Sequence, residues 1–241
     1  MQAFINTILE CGHSYHYTPV GDITVTGLCI LMFALLSQTY VHKNKQSRLM
    51  LAMLCATFIS AISNLLCQVA IFTTNQNIFL IHFLWVLHQL SLVVVLFLYI
   101  QYLREPLWIQ SGRRYPFPVL TIILMAVITA ADIGLSEKQI SFHLADDGSP
   151  HMGHSPFSIL YLLLMGTILY HLIHYRSRII RQIFWGLFSS NLIMIIILAI
   201  QSIYEQASFT CAAYFLPILG IIFVFHSNPF DIETGAISES F

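Results

Sequence analysis

Residues 78–103 read IFLIHFLWVLHQLSLVVVLFLYIQYL and contain no Asp, Glu, Lys or Arg. A helix of about 20 mostly apolar residues crosses the hydrocarbon core of a bilayer, where the backbone must satisfy its own hydrogen bonds. The stretch is apolar nearly all round and lacks the alternation of a half-buried strand. It therefore predicts a transmembrane helix.

The composition of the whole chain agrees with this prediction. Hydrophobic residues make up 57% of the chain and charged residues 9%, with a mean hydropathy of +0.77. Soluble domains have about a quarter of their residues charged. A net charge of -1 and no clustered basic face exclude nucleic acid as a partner. The principal partner is expected to be the lipid bilayer.

Seven stretches of the chain are long and apolar enough to span a membrane. They cover approximately 20–41, 49–72, 78–103, 115–135, 157–175, 182–204 and 209–226. The sequence therefore predicts an all-α integral membrane bundle of seven helices over residues 20–226. An N-terminal segment, 1–19, precedes the bundle, and a polar tail, 227–241, follows it.

The basic residues predict the orientation of the bundle, because Lys and Arg in short loops stay on the cytoplasmic side. Nine of the ten lie in the first, third and fifth connections, and Lys138 lies in the fourth. The nine are Lys43, Lys45, Arg48, Arg104, Arg113, Arg114, Arg176, Arg178 and Arg181. We expect the N-terminus outside, the C-terminus in the cytoplasm, and a multi-pass protein of the plasma membrane.

The outer connection between the fourth and fifth spans admits two interpretations. Phe142 and Leu144 precede Asp146-Asp147-Gly148, and Asp-Gly is a strong turn signal, which favours a short extracellular β-hairpin. The same connection carries nitrogen and oxygen donors that suit a metal ion, namely His143, Asp146, His151 and His154. The hairpin is the structural interpretation, and the metal site is the chemical one.

Polar and ionisable side chains within the spans are candidates for a ligand pocket, since such groups are costly in a bilayer. The candidates are Asn64, Gln68, His82, His88, His171 and His174. His171 and His174 share a helix face because they are three residues apart. The alternative interpretation is that each imidazole hydrogen-bonds a neighbouring helix or lies near the head groups.

No cofactor is predicted. The seventh span contains no lysine for a retinal Schiff base. The five cysteines form no CxxC pair, so neither a zinc ribbon nor a disulfide framework is expected. Pro217 interrupts the middle of the seventh span, where a missing N–H favours a kink.

The C-terminal tail resembles the opening of GGDEF-type diguanylate cyclase domains, written D-x-L-T-G-L-x-N-R-x-x-F. Asp231, Thr234 and Gly235 match that pattern, whereas Glu233, Ala236, Ser238 and Glu239 differ from it. The segment from Asn228-Pro229 to Gly235 is therefore the expected junction with an output domain. The differences imply a degenerate cyclase domain, as in proteins whose output is a following EAL phosphodiesterase domain.

The outer connection carries a second resemblance. Residues 142–156 have the pattern aromatic-x-x-x-Asp-Asp-Gly-x-x-x-x-Gly-x-x-Pro, similar to the outer hairpin of seven-helix input regions of bacterial histidine kinases and GGDEF/EAL proteins. The resemblance implies a bacterial sensor that receives a small-molecule or lipid ligand and transmits the signal to a cyclic di-GMP output domain following residue 241. It also implies that this chain is not itself an enzyme and that it acts as a homodimer.

Two other classes of function remain open. Ser60, Ser63, Asn64 and Gln68 on the second span would suit the lining of a transport pathway. The outer histidines would suit a metal-binding membrane protein.

Overall fold

The computed structural model describes residues 19–38, 45–72, 77–108, 123–124, 127, 130, 142–144, 150–152, 157–174, 176–177, 181–203 and 209–223. In chain order its elements are α1 (Val20–Gln38), α2 (Lys45–Phe72), α3 (Ile78–Trp108), β1 (Phe142–Leu144), β2 (Pro150–Met152), α4 (Phe157–His174), α5 (Arg181–Ile203) and α6 (Thr210–Ile221).

The helical class of the chain is confirmed. The first three predicted spans correspond to α1, α2 and α3, and the last three to α4, α5 and α6. The predicted fourth span, 115–135, lies mostly outside the described residues, and the four positions described within it are helical. Those positions are Ile123, Leu124, Val127 and Ala130.

Among the described residues, three helices are long and apolar enough to cross a membrane, over Ser47–Ile71, Ile78–Leu103 and Ile183–Ile200. Shorter apolar segments occur at Val20–Leu35, Leu163–His174 and Thr210–Ile221. A count of seven spans and their orientation stay predictions.

Local hydrogen bonds favour the starts of α1 and α3. α1 follows Pro19, whose carbonyl accepts a 3.0 Å bond from the N–H of Ile23, and Asp22 lies in the first turn, where the helix dipole favours negative charge. The side chain of Asn77 accepts a 3.2 Å bond from the N–H of Leu80 and caps the start of α3. α6 continues as a helix through the buried Pro217.

The core of the bundle is formed by α2 and α3, which pack against each other more extensively than any other described pair. α1 packs on α2, α4 packs on α3, and α6 contacts α1, α2, α3 and α5. The buried core joins residues of all six helices, including Cys29, Leu54, Leu96, Leu164, Leu187 and Ile218. Many large apolar side chains on the outer faces are exposed, whereas several polar side chains are buried. That distribution suits a helix bundle surrounded by lipid.

The strand pairing of the predicted hairpin is confirmed, and its extracellular location stays a prediction. β1 and β2 pair antiparallel, with Phe142 opposite Met152 and His143 opposite His151. Asp146, Asp147, Gly148 and His154 lie outside the described residues. The tail from 224 onward, with Asn228, Pro229, Asp231, Thr234 and Gly235, also lies outside them.

Candidate functional site: a buried polar cluster

A set of polar side chains meets inside the bundle, and we call it the polar cluster. Its members come from five helices and are contributed by α1 (Asp22), α2 (Ser60, Asn64), α3 (His88, Gln89), α4 (Tyr161) and α6 (Cys211, Tyr214). The cluster lies near the N-terminal ends of α1, α4 and α6 and towards the middle of α2 and α3. It therefore occupies one half of the bundle rather than its whole length.

Asp22 and Asn64 join α1 to α2. The carboxylate of Asp22 is fully buried, at 0% exposure. Its Oδ2 atom accepts a 2.8 Å hydrogen bond from Nδ2 of Asn64. Hydrogen bonds to charged acceptors are stronger than those between neutral groups, which favours this contact between the two helices.

Ser60 and His88 bind each other in both directions and join α2 to α3. Nδ1 of His88 lies 3.1 Å from the carbonyl oxygen of Ser60, and a carbonyl oxygen only accepts, so Nδ1 carries the hydrogen. The Ser60 hydroxyl donates to the carbonyl oxygen of His88 at 3.2 Å and lies 2.8 Å from Nδ1. Because each side chain binds the backbone of the other helix, the two backbones must approach closely. Small residues such as Ser60 permit that approach, as they do in helix pairs of membrane proteins.

Cys211 brings α6 into the cluster. Its sulfur lies 3.7 Å from the Ser60 hydroxyl. Its thiol is also within hydrogen-bonding range of the Asp22 carboxylate. One residue in the first turn of α6 therefore contacts side chains from both α1 and α2.

Two tyrosines extend the cluster towards α4. The Tyr161 hydroxyl donates to the carbonyl oxygen of Gln89 at 3.1 Å and also contacts Oε1 of Gln89. The rings of Tyr161 and Tyr214 pack edge to face, with centroids 5.6 Å apart. Gln89 is the chain neighbour of His88, so the tyrosine pair adjoins the Ser60–His88 contact.

The ligand-pocket candidates from the sequence are distributed unevenly. Asn64 and His88 belong to the cluster, and Gln68 is buried one turn beyond Asn64. His82 is partly buried near the start of α3, and its buried Nε2 atom has no hydrogen-bond partner among the described residues. His171 is buried near the C-terminal end of α4, whereas the exposed His174 stacks on Tyr170 with ring centroids 5.6 Å apart. The structure therefore shows Asn64 and His88 in direct polar contact with side chains of other helices.

The structure describes only two of the four proposed metal ligands. His143 and His151 face each other across the hairpin as Cα partners, and Asp146 and His154 fall outside the described residues. Among the residues that the structure describes, no group of three or more His, Cys, Asp or Glu side chains is placed to hold a metal ion.

Sequence reasoning missed the importance of Asp22, Cys211, Tyr161 and Tyr214. Asp22 and the other three residues were not among the ligand-pocket candidates drawn from the sequence. One signal was available, because Asp22 is the acidic residue in the first turn of an otherwise apolar helix. For Cys211 and the tyrosines the sequence has no comparable signal, since each lies in an apolar helix of ordinary composition.

Scans against protein-family models, curated proteins and solved structures find no match to this chain. The case for function therefore depends on the polar cluster and on the resemblances in the sequence.

Proposed function

We propose that the chain is the membrane input module of a bacterial signalling protein. In this proposal a small-molecule or lipid stimulus acts on the polar cluster, and the bundle transmits the change to a cyclic di-GMP output domain that follows residue 241. The chain itself carries no catalytic role. Lys and Arg placement supports a cytoplasmic C-terminus, where such a domain would have to lie.

The observation that carries the proposal is the position of Cys211. This residue contacts Ser60 and Asp22 of the polar cluster, and it lies in the first turn of α6. α6 is also the helix that leads into the tail resembling the start of a GGDEF domain. A change in the cluster therefore acts directly on the helix nearest the proposed output.

The two ends of α6 are held differently. At its N-terminal end Cys211 contacts the cluster, and towards its C-terminal end Gly220 packs closely on Ser190 of α5. Pro217 lies between these contacts and removes one backbone hydrogen-bond donor, so bending costs least near that residue. A coupling free energy of about 1–3 kcal/mol between cluster and helix would shift a two-state equilibrium several-fold or more.

The packing of α2 supports a transporter less well than it supports a sensor. Four of its buried polar residues, Ser60, Ser63, Asn64 and Gln68, lie in the C-terminal half of the helix. In the N-terminal half the buried Thr57 donates its hydroxyl to the carbonyl oxygen of Met53 in its own helix, and the other buried side chains are apolar, including Met50 and Leu54. A polar lining that stops halfway does not provide a path across the bilayer.

The direct test is a chimera in which residues 1–241 precede an active diguanylate cyclase domain, expressed in bacteria that lack cyclases of their own. Ser60→Ala is expected to change the cellular cyclic di-GMP level or its response to stimulus, because it loosens the contact between α2, α3 and α6. Ser189→Ala on the exposed face of α5 is the matched control. Equal cyclic di-GMP levels in all three chimeras would contradict the proposal, as would a reporter after Phe241 that proves to lie outside the cell.

A second test fixes α6 to a neighbouring helix by an engineered disulfide near Pro217. If α6 transmits the signal, the cross-linked chimera loses its response and recovers it on reduction. A cross-linked chimera that responds normally would exclude α6 as the route.

A further inference from the structure

Asp22 is the only Asp, Glu, Lys or Arg that is buried among the described residues. Placing a carboxylate inside a membrane bundle is unfavourable, and intramembrane acids commonly mark sites for ions or ligands. Its location beside the N-terminal ends of α1 and α6 places it in the half of the bundle that holds the polar cluster.

The groups around Asp22 form a set of oxygen-bearing side chains. Nδ2 of Asn64 donates to the carboxylate at 2.8 Å, and the same amide group carries the oxygen Oδ1. Ser60 lies one helical turn before Asn64, so the two side chains share a face of α2. Cys211 connects the Ser60 hydroxyl with the Asp22 carboxylate. Carboxylate, amide and hydroxyl oxygens suit hard cations, and a single carboxylate matches a single positive charge.

Tyr214 provides an independent observation. Its side chain is 1% exposed, and among the described residues its hydroxyl oxygen has no hydrogen-bond partner. It lies one turn after Cys211 on α6, and its ring packs edge to face on Tyr161 of the cluster, with ring centroids 5.6 Å apart. A buried hydroxyl without a partner is destabilising, so a polar occupant of the cluster would satisfy it.

We propose that the polar cluster binds a small monovalent cation of the Na⁺ type. Asp22 supplies the charged ligand, and Asn64 and Ser60 supply neutral oxygen ligands. The buried Tyr214 hydroxyl, which has no hydrogen-bond partner among the described residues, is the candidate for a further oxygen ligand. Because the cluster joins α1, α2 and α6, an ion bound there stabilises one arrangement of these helices. The role of the ion as a stimulus rests on the proposed function, whereas its binding does not.

The test is thermal unfolding of the purified 241-residue chain in detergent, at fixed pH and ionic strength, with NaCl replaced stepwise by choline chloride. A bound ion raises the unfolding temperature in proportion to the logarithm of its concentration once that exceeds Kd. We expect such a rise for Na⁺, with parallel titrations in KCl and LiCl to define the preferred ionic size.

Variants separate the site from general salt effects. Asp22→Asn is expected to abolish the Na⁺ dependence. Ser60→Ala, which removes a neutral ligand, is expected to raise the Na⁺ concentration for half the effect about 10-fold or more. Asn191→Leu is the matched control, because Asn191 is a buried amide bonded to Tyr99 away from the cluster, and it should keep the Na⁺ response.

Equal unfolding temperatures in NaCl and choline chloride would overturn the inference, and so would an unchanged Na⁺ response in the Ser60→Ala variant. The experiment needs no output domain, so it distinguishes the two proposals. A chain that binds Na⁺ but whose chimera is insensitive to cluster substitutions would contradict the proposed function and leave the ion site in place.

Discussion

The helices α3 and α5 are similarly apolar in sequence, but α3 lies in the centre of the bundle and α5 lies at its edge. Both contain an apolar window long enough to cross a membrane, Ile78–Leu103 in α3 and Ile183–Ile200 in α5. In α3, 67% of that window is buried inside the bundle, whereas in α5 only 17% is buried. Apolarity makes both helices suited to lipid, but it does not show which one forms the centre of the bundle.

The polar side chains of the two helices explain the difference. His88 and Gln89 of α3 bond to residues of α2 and α4. Ser189 and Ser190 of α5 bond back to their own helix, at the carbonyl oxygens of Gly186 and Leu187. Asn191 links α5 to Tyr99 of α3 at 2.7 Å. A helix whose polar groups bond to other helices is fixed among them, and one whose polar groups bond within itself can lie at the edge.

The largest expected effect comes from truncating apolar side chains on the two helices. Leu92→Ala on α3 removes a side chain that is 0% exposed and should lower the free energy of unfolding by about 2–5 kcal/mol. Ile193→Ala on α5 removes a side chain that is 46% exposed and should change it by about 0.5 kcal/mol or less. Unfolding of both variants in detergent measures the difference, and similar losses would contradict the central position of α3.

The next effect concerns the close contact of α5 with α6. A Cβ atom at Gly220 would lie 2.9 Å from Cβ of Ser190 and nearer still to its hydroxyl oxygen. Gly220→Ala should therefore destabilise the protein by about 1–3 kcal/mol, because the two helices must separate. Thermal unfolding is the measurement.

Gly166→Ala on α4 is the control for that variant, since a Cβ there meets nothing within 4 Å. It should be neutral or stabilising by up to about 1 kcal/mol through helix propensity. In a Ser190→Gly background, Gly220→Ala should no longer lower the free energy of unfolding. A persistent penalty would show that the close contact is not its cause.

A smaller effect is expected where the polar groups themselves are changed. Ser60→Ala removes the hydroxyl that bonds to His88 and should cost about 1 kcal/mol, because the buried imidazole loses a partner. Ser189→Ala on the exposed face of α5 should change the free energy of unfolding by less than about 0.5 kcal/mol. If chemical denaturation gave the same value for both variants, the distinction between bonds across helices and bonds within a helix would fail.

The smallest effect is expected at the hydrogen bond between Asn191 of α5 and Tyr99 of α3. Tyr99→Phe removes the hydroxyl that accepts from Asn191, but Asn191 also donates to the carbonyl oxygen of Leu187 at 2.7 Å. A double-mutant cycle with Asn191→Ala should therefore give a coupling of about 0.6 kcal/mol, the average for polar contacts between membrane helices. A coupling well above 2 kcal/mol would mean that this link, rather than apolar packing, holds α5 in place.

The positions of the helices were largely predictable, because apolar runs and turn signals are local features. α2 begins at Lys45 and α3 extends to Trp108, each a few residues beyond the predicted stretch. The hairpin was predictable for the same reason, since Asp-Gly and the flanking residues act over a short distance.

The site was predictable only in part. Polar residues in apolar runs drew attention to Asn64 and His88, but nothing in the sequence paired them with Asp22 and Ser60 respectively. Such pairings depend on which helices meet and at what level, over separations of 42 and 28 residues. His174 illustrates the converse, because its place on an apolar helix made it a candidate and its exposed side chain stacks on Tyr170.

The sequence by itself determined that this protein is helical and suited to a membrane, because hydropathy and backbone hydrogen bonding act along a continuous stretch of chain. The tertiary structure decided that α3 is central and α5 peripheral, and that Asp22, Ser60, His88 and Cys211 meet. Those outcomes depend on contacts between distant segments, where the fit of small side chains and the direction of each hydrogen bond select one packing among many of similar apolarity.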